Sequence, residues 1–401
     1  MKRRIVITGA GIITAFGSGR DINRIGMLSG KSAIHQIDSF DIRRYSCKYG
    51  GEAGDFKRAQ LLNLNGRRLD RASHLLIQAS REALEESGMY HRISDDPVLV
   101  SLGTTLGGMI SGELFHREVI ARELGRARIS LLSDYLAHCQ ALNLFREFKL
   151  HGDFRIFSSA CASGTNAIGQ AFRSLQFGEY NIAICGGYDT MTEFTFAGFN
   201  SLMAISPSHC RPFDKNRDGL VLGEGAGILL LEELEHAKER GAPIMCEVLG
   251  YGESSDGYHM TGPDPDGTGA ALAISGALKD ACLKSVDYIN AHGTGTLLND
   301  AMESKAIFSA FGDKAADIPV SSIKPMIGHL LGAAGAVEII ASIFAICERS
   351  LPPNINFETH DPGCPLHIVK APEKRHIRTV LSNSFGFGGA NASLIIGEWQ
   401  R

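Results

Sequence analysis

Two periods of apolar residues run along this chain. Residues 73–87 place Leu75, Leu76, Ala79, Ala83 and Leu84 at helical spacing and lead into the run at 98–102, apolar except for Ser101. That pattern predicts a helix followed by a buried strand. The same pair recurs later. Residues 270–283 carry Leu272, Ile274, Ala277 and Leu278 at helical spacing, and 286–290 is strand-like. Both strands run into glycine and threonine, as Gly103-Thr104-Thr105 and as Gly293-Thr294-Gly295-Thr296. A second block repeats too: 154–159 leads to Cys161 and a small-residue helix, and 318–322 leads to His329 and another. A further strand and glycine loop close each half, at 182–187 and 380–389. Two copies of one strand–helix unit predict an α/β protein whose two sheets share a helical layer, with halves at 1–249 and 250–401. In this alignment His329 takes the place of Cys161.

The stretch 330–347 is apolar except for Glu338 and Ser342, long enough to weigh as a membrane span. A mid-span carboxylate costs several kcal/mol in lipid, so a buried helix is expected. The apolar residues at the N-terminus, Ile5-Val6-Ile7, are too few for a signal peptide. A net charge of −4 gives no signal for nucleic acid or a membrane surface. Nine cysteines, no two of them three positions apart, argue against a CxxC zinc site and a disulfide framework. Reduced thiols in the cytoplasm follow as the expectation. Glycine is the one unusual count, 46 of 401 residues, against a usual ~7%.

Three residues carry the candidate chemistry. Cys161 follows a strand and opens a helix, where N–H groups and the helix dipole lower a thiol pKa. The same N–H groups can hold an oxyanion. His292 and His329 sit among glycines that let a ligand approach, and a neutral imidazole can donate to a thioester carbonyl. Lys324 adds a charge nearby, with Glu338 as its buried counter-charge. Cys161, two glycine-flanked histidines and Lys324 on matching loops point to acyl transfer with enolate stabilisation and no metal.

At this point the sequence resembles the type II β-ketoacyl-acyl-carrier-protein synthases, condensing enzymes of the thiolase-like superfamily. The resemblance rests on 5–11, on Cys210-Arg211-Pro212-Phe213-Asp214-Lys215 with Gly223-Glu224-Gly225, and on Asn383 to Asn391 with Phe385-Gly386-Phe387. It also includes the segments around Cys161, His292 and Lys324 to His329. It implies a duplicated five-layer α-β-α-β-α fold. It also implies that Cys161 takes an acyl group, while His292 and His329 assist loss of CO₂ from a malonyl-carrier and the condensation that follows. Lys324 would support the site. The N–H groups of Cys161 and Phe387 would form the oxyanion hole, and the Phe387 ring would gate the acyl pocket. Thr294 and Thr296 would contact the phosphopantetheine arm, which arrives on the carrier, so no cofactor is needed. A homodimer is implied as well.

The chain departs from the family after Thr296, where Leu297 replaces the usual proline, and across 109–148. Leu106, Met109 and Ile110 are expected near the acyl tunnel, and chain length is left open. The basic residues Arg67, Arg68 and Arg71, near Lys57 and Arg58, are expected to dock the acidic carrier. A ketosynthase of a polyene or polyketide pathway is the alternative. A non-catalytic chain-length partner would lack Cys161, and a thiolase would carry a second cysteine in the C-terminal glycine loop.

Overall fold

The opening apolar run forms β1 (Ile5–Thr14) in the computed structural model, which describes residues 2–54, 63–64, 67–122 and 124–400. The first half adds β2 (Val98–Gly103), β3 (Gly152–Phe157), β4 (Ile182–Asp189) and β5 (Gly225–Glu233). The second half contains β6 (Cys246–Ser255), β7 (Tyr288–Asn290), β8 (Pro319–Ser321), β9 (Thr379–Gly386) and β10 (Ala390–Glu398). Strand order in the first half is β3-β2-β4-β5-β1, with two parallel pairings and then two antiparallel ones. The second half repeats that order and direction as β8-β7-β9-β10-β6.

Five helices complete the layers: α1 (Arg71–Glu86), α2 (Ser163–Gln176), α3 (Thr268–Asp280), α4 (Leu297–Phe311) and α5 (Ala334–Glu348). Helix α1 covers the outer face of the first half, and α3, with α4 beside it, covers the second. Between the halves α2 and α5 pack on each other and on strands of both. The sequence of layers is helix, sheet, helix, sheet, helix.

Two details differ from the sequence reading. The halves are not separate sheets. Ile5, Val6 and Ile7 pair with Val248, Glu247 and Cys246, joining everything into a 12-stranded sheet with two short extra strands. Past those pairs, helix carboxylates take the strand N–H groups instead. Ala10 donates to Glu86 at 3.2 Å and Ile12 to Glu82 at 2.9 Å, while Tyr251 donates to Asp280 at 3.2 Å. Nor does the divide fall at 249/250. Leu249 and Gly250 lie inside β6, at a register slip against β10 that mirrors the slip between Ile7 and Gly9 in β1. The irregularity belongs to the repeat, and the chain passes between halves at 240–245, after the helix Leu234–Glu239.

Glycine answers part of its own excess here. A Cβ at Gly9 or Gly11 would run into the carbonyl oxygens of Ala83 and Ala79 on α1. At Gly250 or Gly252 it would meet those of Ala277 and Ala273 on α3. Two strand residues span about the same length as one helical i, i+4 step, so the glycines and alanines match pair by pair. Part of the glycine excess therefore serves the close approach of helix to sheet. The segment weighed as a membrane span is the central-layer helix α5, with 334–346 buried throughout.

Candidate active site

Cys161 lies in a 3₁₀ turn, Ala160–Ala162, between β3 and α2. Ala160 before it has φ +49°, a left-handed backbone that an alanine adopts at a cost of about 1–2 kcal/mol. A polar chain holds the turn in place. Ser159 N–H donates to Ser163 Oγ (2.9 Å), which donates to the Ala160 carbonyl (2.5 Å). Asn166 donates to Ser159 Oγ (2.7 Å) and accepts from the buried Tyr251 hydroxyl (2.7 Å), which also reaches Glu253 (2.6 Å). In the second half Leu331, at φ +53°, makes the corresponding turn into α5. The residue matching Cys161 is therefore Gly332, and His329 lies three positions earlier than the repeat suggested.

The three candidates converge. The sulfur of Cys161 and a ring nitrogen from each of His292 and His329 lie within 4.8 Å of one another. His329 Nε2 is 3.1 Å from Cys161 Sγ, and the two imidazoles meet edge to face with centroids 5.3 Å apart. The surroundings settle both tautomers. Leu331 N–H donates to His329 Nδ1 at 3.2 Å, and the Lys324 ammonium faces His292 Nδ1 at 3.3 Å. Each Nδ1 therefore accepts, and each Nε2 carries the proton of the neutral ring. Burial and then the Lys324 charge hold both imidazoles well below the usual histidine range. At neutral pH they are uncharged donors.

Lys324 is itself buried and donates to Glu338 and to the His292 carbonyl, as the expected counter-charge requires. Cys161 does not follow expectation. Burial pushes its thiol up to about 12, and Asp189 and Glu338 add to this against the opposing pull of Lys324 and the Phe387 N–H. Burial outweighs the groups that favour the thiolate, so the thiol lies above its usual pKa and not below it.

Sequence reasoning missed two carboxylates. Asp189, at the end of β4, accepts from Thr104 Oγ1 (2.7 Å) and from the N–H groups of Thr105 (2.8 Å), Leu106 (2.9 Å) and Gly332 (2.7 Å). It ties the first half to the turn that opens α5, and burial raises it to about 6. Glu303 on α4 accepts from His292 N–H (2.9 Å), Gly293 N–H (2.8 Å) and Asn383 (3.2 Å). Burial raises it to about 7. The one available signal was an acid among apolar neighbours at a strand end (Asp189) or on a helix face (Glu303).

A cavity of about 550 Å³ has Cys161, His292 and His329 in its lining. Thr294 and Thr296 line it too, their hydroxyls 2.9 Å apart. The Phe387 ring, 37% exposed, lines it while stacked on Phe199 at 5.5 Å. Leu106, Met109 and Ile110 are not in that lining. Leu106 instead packs in an apolar cluster around Phe196 and Leu331, and Met109 and Ile110 open the helix Met109–Arg122. Arg71 is no surface group: it points inward and pairs with buried Glu224. The side chains of Arg67 and Arg68 lie outside the described residues, as do Lys57 and Arg58.

Two family profiles match the chain, "Beta-ketoacyl synthase, N-terminal domain" over residues 2–237 and "Beta-ketoacyl synthase, C-terminal domain" over 245–358. A 3-oxoacyl-[acyl-carrier-protein] synthase 2 from Synechocystis sp. is 42% identical across 100% of this chain and 99% of its own. Among solved structures, the ishigamide ketosynthase/chain length factor matches with TM-score 0.94 at 36% identity, covering 100% of both chains. A type II PKS ketosynthase in complex with its acyl-carrier protein, bound to the hexaketide, matches with TM-score 0.92 at 28% identity, again covering 100% of both.

Proposed function

The chain belongs to the β-ketoacyl synthase family, and on that premise we propose that Cys161, His292 and His329 perform a decarboxylative condensation on carrier-bound thioesters. The protein is a condensing acyltransferase of the 3-oxoacyl-acyl-carrier-protein synthase kind, serving fatty acid elongation. One observation carries the assignment of roles: two neutral imidazoles, each with its Nε2 proton fixed by a donor at Nδ1, beside one buried thiol.

In the first stage Cys161 sulfur attacks the acyl thioester, and the thiol proton leaves with the carrier's sulfur. The N–H groups of Cys161 and Phe387 hold the oxyanion of the tetrahedral intermediate. A malonyl-carrier then occupies the cavity, its arm against Thr294 and Thr296. Its carboxylate departs as CO₂, and the electron pair passes into the thioester as an enolate whose oxygen accepts from both Nε2–H groups. The enolate carbon attacks the Cys161 acyl carbonyl, the C–S bond breaks with its electron pair leaving on sulfur, a 3-oxoacyl-carrier two carbons longer is released, and a proton from water restores the thiol. One sulfur that carries the acyl group between the two stages makes the kinetics ping-pong.

The reading needs no metal and no organic cofactor beyond the carrier's own pantetheine. The tautomers support this, because a metal at the trio would need both Nε2 lone pairs and hence the loss of both Nδ1 hydrogen bonds. A cytoplasmic location is supported by nine free cysteines. A homodimer is supported by the edge of the sheet at β3, which pairs with no further strand among the described residues and where Phe154 is exposed, and by the exposed Ile120, Leu124 and Ile129. An unpaired strand edge invites a second chain.

A specialised polyketide role is the second reading, favoured by the type II PKS ketosynthase described above. Turnover across saturated and unsaturated acyl-carriers of increasing length separates the two. The central test is transfer of a radiolabelled acyl group. Label should appear on Cys161 and vanish in Cys161→Ala; label that persists in the variant would refute the nucleophile.

A further inference from the structure

The turn that carries Cys161 is held from three directions. Ser163 on α2 donates to the Ala160 carbonyl from within, and Thr105 Oγ1, just past β2, reaches the same carbonyl at 3.3 Å. The third hold comes from the other half of the molecule. Tyr251 on β6 donates to Asn166, and Asn166 donates to Ser159, the residue that opens the turn. The tie in the opposite sense runs from Asp189 on β4 to the Gly332 N–H. Each half therefore fixes the turn of the other.

Tyr251 has little slack. Its ring is buried against α2, where a Cβ on Gly169 would collide with it, and the Arg173 guanidinium lies 5.0 Å or less from the ring centroid, at 4.8 Å. Burial, and then Glu253, raise the phenol above the ordinary tyrosine range, so the hydroxyl keeps its proton. That proton has two acceptors within reach, Asn166 Oδ1 at 2.7 Å and Glu253 Oε2 at 2.6 Å. Arg173 and Gln170, both on α2, also donate to the Glu253 carboxylate and so weaken its competition for the proton.

The turn controls where one N–H points. A Cβ on Gly386 would lie only 3.0 Å from the Ser159 carbonyl oxygen and 3.1 Å from the Cys161 nitrogen. The turn thus rests on the strand end that leads to Phe387, the other donor of the oxyanion hole. Ala160 sits at φ +49°, a conformation that its surroundings must impose. Slack at Ser159 would let the turn relax and draw the Cys161 N–H off its line.

We propose that Tyr251, acting through Asn166 and Ser159, is a positioning residue for acylation: it sets the Cys161 N–H that holds the oxyanion. The inference rests on the condensing-enzyme reading above and deepens it. Decarboxylation depends on the two Nε2–H groups instead, so comparing the two steps separates positioning from general support of the fold.

Tyr251→Phe keeps the ring and removes the hydroxyl, and Asn166→Ala removes the link itself. The rate constant for acylation of Cys161 by an acyl-carrier should fall about tenfold in either variant. The half-saturating carrier concentration should stay within about twofold. The double variant should lose no more than a single one, because one chain is cut twice. CO₂ release from the malonyl-carrier, measured in a Cys161→Ala background, should stay within about twofold when Tyr251→Phe is added. Should one single variant fail to fold, the other decides. Acylation at the wild-type rate in Tyr251→Phe would overturn the proposal. So would multiplied losses in the double variant, or a matching fall in CO₂ release, which would leave Tyr251 as support for the fold alone. Failure of the wild-type protein to acylate Cys161 would instead bring down the condensing-enzyme reading beneath it.

Discussion

His329 directs Nε2 at the sulfur of Cys161 from 3.1 Å while its Nδ1 is held by the Leu331 amide. The imidazole therefore faces the sulfur as a donor. This differs from a thiolate–imidazolium pair, in which the ring would have taken the thiol proton.

The pH dependence of thiol reactivity follows from that arrangement. Only the thiolate reacts with iodoacetamide, and the Cys161 thiol is pushed up to about 12. Alkylation of Cys161 should therefore rise about tenfold per pH unit from neutral pH upward, without levelling off below the usual thiol pKa of about 8.5. A plateau near neutral pH would show a stabilised resting thiolate.

The histidine tautomers can be observed directly. Nitrogen NMR of histidine-labelled protein should show His292 and His329 neutral with the proton on Nε2, and still neutral below the ordinary titration midpoint of about 6.5. Either ring titrating with an ordinary midpoint would remove the basis for uncharged donation. His292→Ala and His329→Ala should suppress CO₂ release from the malonyl-carrier far more than acylation of Cys161. Equal loss of both steps would end that division of labour.

Lys324 and Glu338 form a pair in which both side chains are 2% exposed. Removing one partner leaves a buried charge alone, so Glu338→Gln should lower unfolding stability by about 3–5 kcal/mol in urea titrations. Replacing both with apolar residues of similar size should recover much of the stability and none of the activity, because Lys324 also faces His292 Nδ1. A double variant with normal turnover would reduce Lys324 to packing.

The helix–sheet glycines predict opposite effects at two sites. Gly252→Ala drives a Cβ into the Ala273 carbonyl and should cost about 3 kcal/mol. Gly198 lies inside the helix Glu193–Ser201, where a Cβ would meet nothing within 4 Å. There Gly198→Ala should gain about 0.5–1 kcal/mol. Equal unfolding midpoints for the two variants would contradict the packing account.

Arg71 separates a structural role from a docking role. With its guanidinium paired to buried Glu224, whose carboxylate also accepts from Ala53 and Met191 N–H, Arg71→Met should lose about 3 kcal/mol of stability. The carrier KM should stay near wild type; a raised KM with unchanged stability would return Arg71 to the docking surface.

What the sequence determined by itself is local or repeated. The helix at 73–87 and the strand at 98–102 appear as Arg71–Glu86 and Val98–Gly103 because one buried face leaves a period in the chain. The duplication was legible for the same reason, and Cys161, His292, His329 and Lys324 stood out because glycine and small residues frame them. What only the tertiary structure decided depends on groups far apart in the chain. Desolvation by the assembled core raises the Cys161 thiol, and no neighbouring residue in the sequence encodes that burial. Asp189 reaches Gly332 across 143 positions, and Arg71 reaches Glu224 across 153. Periodicity is written along a chain, but protonation and proximity are set by what folding brings near and by the water it excludes.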